Sequence, residues 1–227
     1  MDYFSLDDIK KTTIRIVIFF VSFAFLFFLV VNIGRFERIP DGVHKKYYDN
    51  GGLFKEETYK GGKLNGITRT YHENGKLWEE KDYRHGKLEG VVREYYVSGA
   101  LLAETLYVKG EREGIARTYF KSGRKYEIFQ YEKDQLHGLS LVFFENGYKQ
   151  FKQRYYRDKL TGKFVEYYES GKLQSVHYYH EGALHGRFTE YYEHGVVKST
   201  GHYRMGRLMN RVNYNENGEF ASEFYKE

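Results

Sequence analysis

Through most of this chain, apolar and polar residues alternate in runs of about seven, and glycine-bearing turns separate the runs. Residues 67–72 (ITRTYH) and 76–83 (KLWEEKDY) form one pair of runs, with turns ENG at 73–75 and RHGKLEG at 84–90. Tyr, Phe, Val, Ile and Thr favour strands, and glycine recurs too often for a helical period to survive. The pair therefore predicts a β-hairpin. The pattern returns every 24 residues: YYDNG (47–51), YHENG (71–75), YYVSG (95–99), YFKSG (119–123), FFENG (143–147), YYESG (167–171) and YYEHG (191–195). An eighth copy, YNENG at 214–218, comes one residue early.

Three further columns keep the same step. Tyr59, Tyr83, Tyr107, Tyr131, Tyr155, Tyr179 and Tyr203 are invariant. A leucine column (Leu64, Leu88, Leu136, Leu160, Leu184, Leu208) is broken only by Arg112, and the glycine two residues on (Gly66 to Gly186) gives way to Asn210 in the last copy. Such periods mark repeat architectures. The expected fold is all-β: an elongated antiparallel sheet of tandem 24-residue hairpins over residues 47–227, about seven and a half repeats. About fifteen strands at about 4.8 Å give a ribbon about 70 Å long.

The glycine that closes each ENG-type loop predicts a three-residue turn with positive φ. Asp134 and Asp158 stand where Gly62, Gly86 and Gly110 stand in other copies, so that column too predicts positive φ, which Asp tolerates. With a three-residue turn, Tyr71 faces Leu77. Positions 67, 69, 71, 77, 79, 81 and 83 are then expected on one side, and 68, 70, 72, 78, 80 and 82 on the other. The side with the Tyr71, Leu77 and Tyr83 ladders is the expected core.

Ahead of the array, Ile16 to Gly34 is 19 residues without a charge. As a helix it spans about 28 Å, close to the hydrocarbon thickness of a bilayer. It is longer than the apolar core of a signal peptide, and no small-x-small cleavage site follows. The expected order is an N-terminal tail (1–15), a transmembrane helix (16–34), a juxtamembrane linker (35–46) and the repeats. A short tail before a long C-terminal domain predicts a single-pass inner-membrane protein with its repeats on the extracytoplasmic side.

Charge and composition narrow the function. The formal net charge is +5 over 227 residues, too diffuse for a nucleic-acid surface. Without cysteine there are no disulfides and no thiol chemistry. His177, His180, His185, His194 and His202 cluster late but fall in different columns, so no metal site is expected. Asp49, Glu73, Glu145, Glu169 and Glu193 form an acidic column, read as polar turn starts instead of catalytic carboxylates. Arg69, Arg93 and Arg117 form a basic ladder that Glu79, Glu80 and Glu104 can balance. No enzyme motif, cofactor site or small-molecule substrate is expected.

Two columns change character along the chain. One reads Phe54, Trp78, Leu102, Tyr126 and then Gln150, Gln174, Lys198; the other reads Ile67, Val91, Ile115, Leu139 and then Lys163, Arg187, Arg211. Phe54, Trp78, Leu102 and Tyr126 are the candidate partner-binding stripe, because an apolar row needs cover, from a partner or from the protein itself.

The YYENGK-L element followed by Y-x-x-GKL-x-G resembles the bacterial variant of the MORN repeat over residues 45–226. The resemblance implies elongated antiparallel hairpin arrays and, for YwqK-like members, an antitoxin role in toxin–antitoxin systems. The function expected is a membrane-anchored, non-enzymatic scaffold for a protein partner. An antitoxin-like neutraliser and a cell-envelope glycan or lipid binder are the alternatives.

Overall fold

The computed structural model describes residues 39–226, in which every regular element is a strand and no helix is long and apolar enough to cross a membrane. The expected tail, transmembrane segment and start of the linker lie outside the described residues. The remainder of the linker differs from expectation. Gly42–Tyr47 is already a strand, with Lys45 and Lys46 reaching Glu56 and Glu57 on Leu53–Lys60 at 2.9 and 3.0 Å.

Each of the first six repeats holds a six-residue arm, an eight-residue arm and a two-residue strand. In the second repeat these are Gly66–Tyr71, Leu77–Arg84 and Lys87–Leu88. The loop between the arms closes as the sequence predicts. The Gly75 N–H donates to the His72 carbonyl and the His72 N–H to the Lys76 carbonyl, both at 2.8 Å, with Gly75 at φ 79°. The eight-residue arm then pairs with the next six-residue arm, Gly90–Tyr95, and the sequence continues to Phe220–Tyr225 as one antiparallel sheet.

One residue past each loop the register slips. Tyr71 faces Leu77, but Thr70 faces Glu79, so Trp78 is left without a partner. The same β-bulge occurs in all eight hairpins. Side chains alternate with period two, so one extra residue puts the two arms out of step. The expected common side for positions 67 to 71 (odd) and 77 to 83 (odd) is therefore not formed. Positions 68 and 70 share a face with 79, 81 and 83, the core face; positions 67, 69 and 71 share the other with 80 and 82, the ladder face. Tyr71 and Tyr83, expected together, part company: the Tyr71 hydroxyl donates to Glu56 at 3.2 Å on the ladder face.

Among the described residues strands contact chiefly the strands beside them, and none forms a second layer across either face. Each face must bury its own side chains. The fully buried ones, among them Glu57, Thr68, Val92, Ala116, Ser140, Phe188 and Ser199, lie on the core face, with the exception of Val165.

The second turn is a two-residue loop. His85 and Gly86 sit between the paired Arg84 and Lys87 with φ 50° and 82°, the I′ geometry that suits strand twist. Asp134 and Asp158 take φ 66° and 64° as expected; the residues before them, Lys133 and Arg157, also go positive at 49° and 48°, which composition did not signal. The turn's second N–H bonds back to the leucine column of the preceding repeat: Gly86 to Leu64 at 2.7 Å and Gly110 to Leu88 at 2.8 Å.

The early arrival of YNENG has a structural cause. Between Lys87–Leu88 and the next arm two extra residues are accommodated: Tyr83 faces Leu88 while Glu80 faces Arg93. In the last hairpin Tyr203 faces Leu208 and His202 faces Asn210, so Arg207–Tyr214 runs as one strand with a single extra residue. Asn210 can replace glycine because its φ is not positive. The deletion also moves Arg211 out of the Ile67 column, where a fixed 24-residue step puts it. It faces Gly201 on the core face.

Candidate interaction surface

Phe54, Trp78, Leu102 and Tyr126 all occupy the bulge position that the pairing skips. Trp78 and Tyr126 are exposed, at 44% and 39%, whereas Phe54 and Leu102 are half-buried. The three aromatic members lean on the second aromatic of their own YY element: Phe54 on Tyr48 at 5.0 Å, Trp78 on His72 at 5.7 Å and Tyr126 on Phe120 at 4.8 Å. Where that second aromatic is tyrosine or histidine it is a strut. The Tyr48, Tyr96, Tyr168 and Tyr192 hydroxyls donate to the carbonyls of Tyr71, Tyr119, Tyr191 and Tyr214, between 2.6 and 2.9 Å, and His72 Nε2 lies 3.1 Å from the Tyr95 carbonyl. Phe54 and Trp78 thus each back a strut, whereas Tyr126 rests on Phe120, which has no hydroxyl to donate.

The ladder face carries a second row that the sequence reading did not assemble. Following opposed residues across the sheet gives Lys45, Glu56, Arg69, Glu80, Arg93, Glu104 and Arg117, with charge alternating at every step. Ion pairs run along it: Lys45–Glu56 at 2.9 Å, Arg69–Glu80 at 2.8 Å, Arg93–Glu80 at 3.8 Å and Arg117–Glu104 at 3.1 Å. This accounts for the basic ladder, with Glu80 and Glu104 as partners; Glu79 is on the core face, 2.7 Å from Lys81. Beyond Arg117 the same row reads Ile128, Leu141, Lys152, Val165, Val176, Thr189, Thr200 and Val212. The signal was present in columns 69 and 80 read jointly; the misphased faces hid it.

On the core face the distal repeats hold a compact cluster. The His177 ring stacks on Phe188 at 5.5 Å with planes 2° apart, and the Arg211 guanidinium lies 5.6 Å from the Phe188 ring centre. Arg211 pairs with Glu190, and the Ser199 hydroxyl donates to the same carboxylate at 2.6 Å. Gly201 makes the room, since a Cβ there would meet the Phe188 ring at 2.5 Å and the Asn210 carbonyl oxygen at 2.2 Å. Burial lowers the His177 pKa, against the opposing pull of Glu190 and Glu166, and Arg211 adds to the lowering. In the first hairpin burial acts to raise the Glu57 carboxyl, but the Lys55 and Lys46 ammonium groups outweigh it and hold the group below the usual carboxylate range.

The other candidates stay apart. Asp49, Glu73, Glu145, Glu169 and Glu193 each sit exposed at the start of a three-residue loop. His180, His185 and His202 form a loose chain of rings, at 5.8 and 6.5 Å, while His194 lies beside Tyr192. Among the described residues no group of three or more His, Cys, Asp or Glu is placed to hold a metal ion.

Four stretches of the chain, residues 40–60, 64–85, 160–181 and 184–205, match the MORN repeat variant. These matches support a MORN-repeat family. The hairpins between the matched stretches keep the same loop, bulge and turn. No curated protein matches the chain.

Proposed function

We propose that this MORN-like chain is a non-enzymatic scaffold, held at a membrane by residues 16–34, that presents its sheet to a protein partner. The observation that carries the reading is the stripe. The described strands form a single layer, which offers surface along its length as other repeat arrays do. On it Trp78 and Tyr126 stand 44% and 39% exposed at the same register position two repeats apart. Tyrosine and tryptophan are the residues that most often dominate interface energies. The repeats lie on the extracytoplasmic side in this reading, which a phosphatase fused after Glu227 reports by its activity; a fusion active only as a cytosolic reporter favours the antitoxin-like alternative.

The deciding experiment is co-purification of the tagged full chain from detergent-solubilised membranes, wild type against Trp78→Ala/Tyr126→Ala. A protein retained by the wild type and lost from a variant that still melts cooperatively supports the reading. An unchanged set of retained proteins overturns it.

A further inference from the structure

The strongest unassigned feature is a groove on the ladder face, where the charged row has given way to the apolar one. It is shallow, about 480 Å³, and its floor is Leu139, Val165, Leu173 and Val176. Val165 is the buried exception noted above, at 7% exposed, and it faces Val176 directly. Lys152, Arg154 and Lys163 rim the floor, and no carboxylate does.

The three cations differ from those of the proximal row. Arg69, Arg93 and Arg117 each have a glutamate within 4 Å; among the described residues Lys152, Arg154 and Lys163 have no ion-pair partner. The nearest acid in sequence, Glu166, is turned to the core face, where the Ser175 hydroxyl donates to it at 3.1 Å. Lys152 faces Leu141 and Val165 across its strand, and Arg154 faces Leu139, so charge and apolar surface interleave. Unpaired cations around an apolar strip leave a field that an anionic ligand with apolar groups would complement.

We infer that this groove binds an acidic peptide segment bearing apolar side chains, contributed by the scaffold's protein partner. The inference rests on the scaffold reading and names the chemistry of one contact. The floor favours a peptide over a lipid. Its apolar residues come from neighbouring strands and alternate with the cations, with Leu139 37% exposed, a spacing that matches alternate side chains of an extended peptide.

The test uses the full chain and a fluorescein-labelled octapeptide alternating glutamate with leucine, read by anisotropy. Lys152→Gln/Arg154→Gln/Lys163→Gln is compared with Lys63→Gln/Lys87→Gln/Lys159→Gln, which removes three exposed cations from the short strands and matches the change in net charge. The groove triple is expected to bind about tenfold or more weakly, while the control stays within about threefold of wild type. Leu139→Ser is expected to weaken binding, and the glutamine–leucine peptide to fail. If the groove triple does not melt as wild type does, Lys163→Gln alone replaces it. Equal losses in both triples, equal binding of the glutamine peptide, or binding of phosphatidylserine vesicles in place of the peptide each overturns the inference. A groove triple that loses both the peptide and the captured partner supports the inference, and one that loses the peptide yet captures the same partner as wild type overturns it; a stripe variant that keeps every retained protein while the groove still binds the peptide overturns the scaffold reading alone.

Discussion

The four proximal hairpins and the four distal ones share one backbone and divide their chemistry differently. On the ladder face the proximal row alternates charge from Lys45 to Arg117, and the distal row is mainly apolar from Ile128 to Val212. On the core face the phenylalanine rings gather distally, beside the Glu190–Arg211 pair. The proximal side holds Glu57, Thr68, Thr70 and Lys81, and the distal side holds Phe151, Phe164 and Phe188. Loops, bulges and I′ turns are the same throughout. The fold is therefore specified by backbone geometry at the turns and by inter-repeat struts, which leaves the faces free to take different chemistry along the array.

The sharpest contrast lies in one column. Thr68, Val92, Ala116, Ser140 and Phe188 occupy equivalent places, and all are buried. Phe188→Ala removes the apolar centre of the distal cluster and is expected to cost about 3–5 kcal/mol, as for other buried aromatics, read as a lower denaturation midpoint. Trp78→Ala, by contrast, removes a ring that is 44% exposed and packed on one side only. Its expected cost is about 1–2 kcal/mol, below the fully buried case. Trp78 is the only tryptophan, and its emission should be quenchable by acrylamide in the folded protein. A cost as large as that of Phe188→Ala would mean the stripe is packing surface and not a free interface.

The repeat, the three-residue loop and the positive φ at Asp134 and Asp158 were legible in the sequence because each is local, whereas residues 84–90, expected as one turn, form a two-residue loop and the short strand Lys87–Leu88. Glycine and aspartate mark them directly. The faces were not legible, and the reason is one residue per hairpin. The bulge at the Trp78 position leaves no compositional mark, since Phe54, Trp78, Leu102, Tyr126, Gln150 and Lys198 all occupy it. Without it every side chain of one arm is assigned to the wrong face. The charged row and the groove both depended on that phase. The His177–Phe188–Arg211 cluster was hidden a second way, by the single deletion that moved Arg211.

Smaller changes probe the proximal half. Glu80→Arg would place three cations side by side where Arg69 and Arg93 now share a carboxylate. The expected cost is about 1 kcal/mol, and it should shrink as salt rises, because the row is exposed to solvent. Thr68→Val tests the core face of the same repeat. Among the described residues the Thr68 hydroxyl is buried without a hydrogen-bond partner, and its column neighbour is already Val92. Removing it is expected to stabilise the array by about 1 kcal/mol. A destabilised Thr68→Val would mean the hydroxyl has a bound water that the substitution evicts.

The finest separation of the two halves is by pH. Glu57 has its folded pKa below the unfolded value, so its contribution is present above the usual carboxylate range and is lost as pH falls through the lowered pKa. His177 also titrates low in the fold, but it is a base. As pH falls below about 6.5 the unfolded chain takes up a proton that the folded His177 refuses, and stability declines. The decline stops once pH has passed the lowered folded pKa. Burial against Phe188 sets the shift; Glu190 and Glu166 oppose it, and Arg211 reinforces it. His177→Phe keeps a ring on Phe188, removes the titration and eliminates the buried, unpartnered Nδ1. Phe129 already fills the equivalent position in an earlier repeat. The difference in unfolding free energy between wild type and His177→Phe should therefore be flat above about pH 7 and grow in favour of the variant toward pH 5. Lys46→Gln, which strips Glu57 of one ammonium, should leave that window unchanged and weaken the protein only while the carboxylate is ionised. A wild-type-minus-variant curve for His177→Phe that is flat from pH 7 to 5 would show that the ring titrates alike in the folded and unfolded chains.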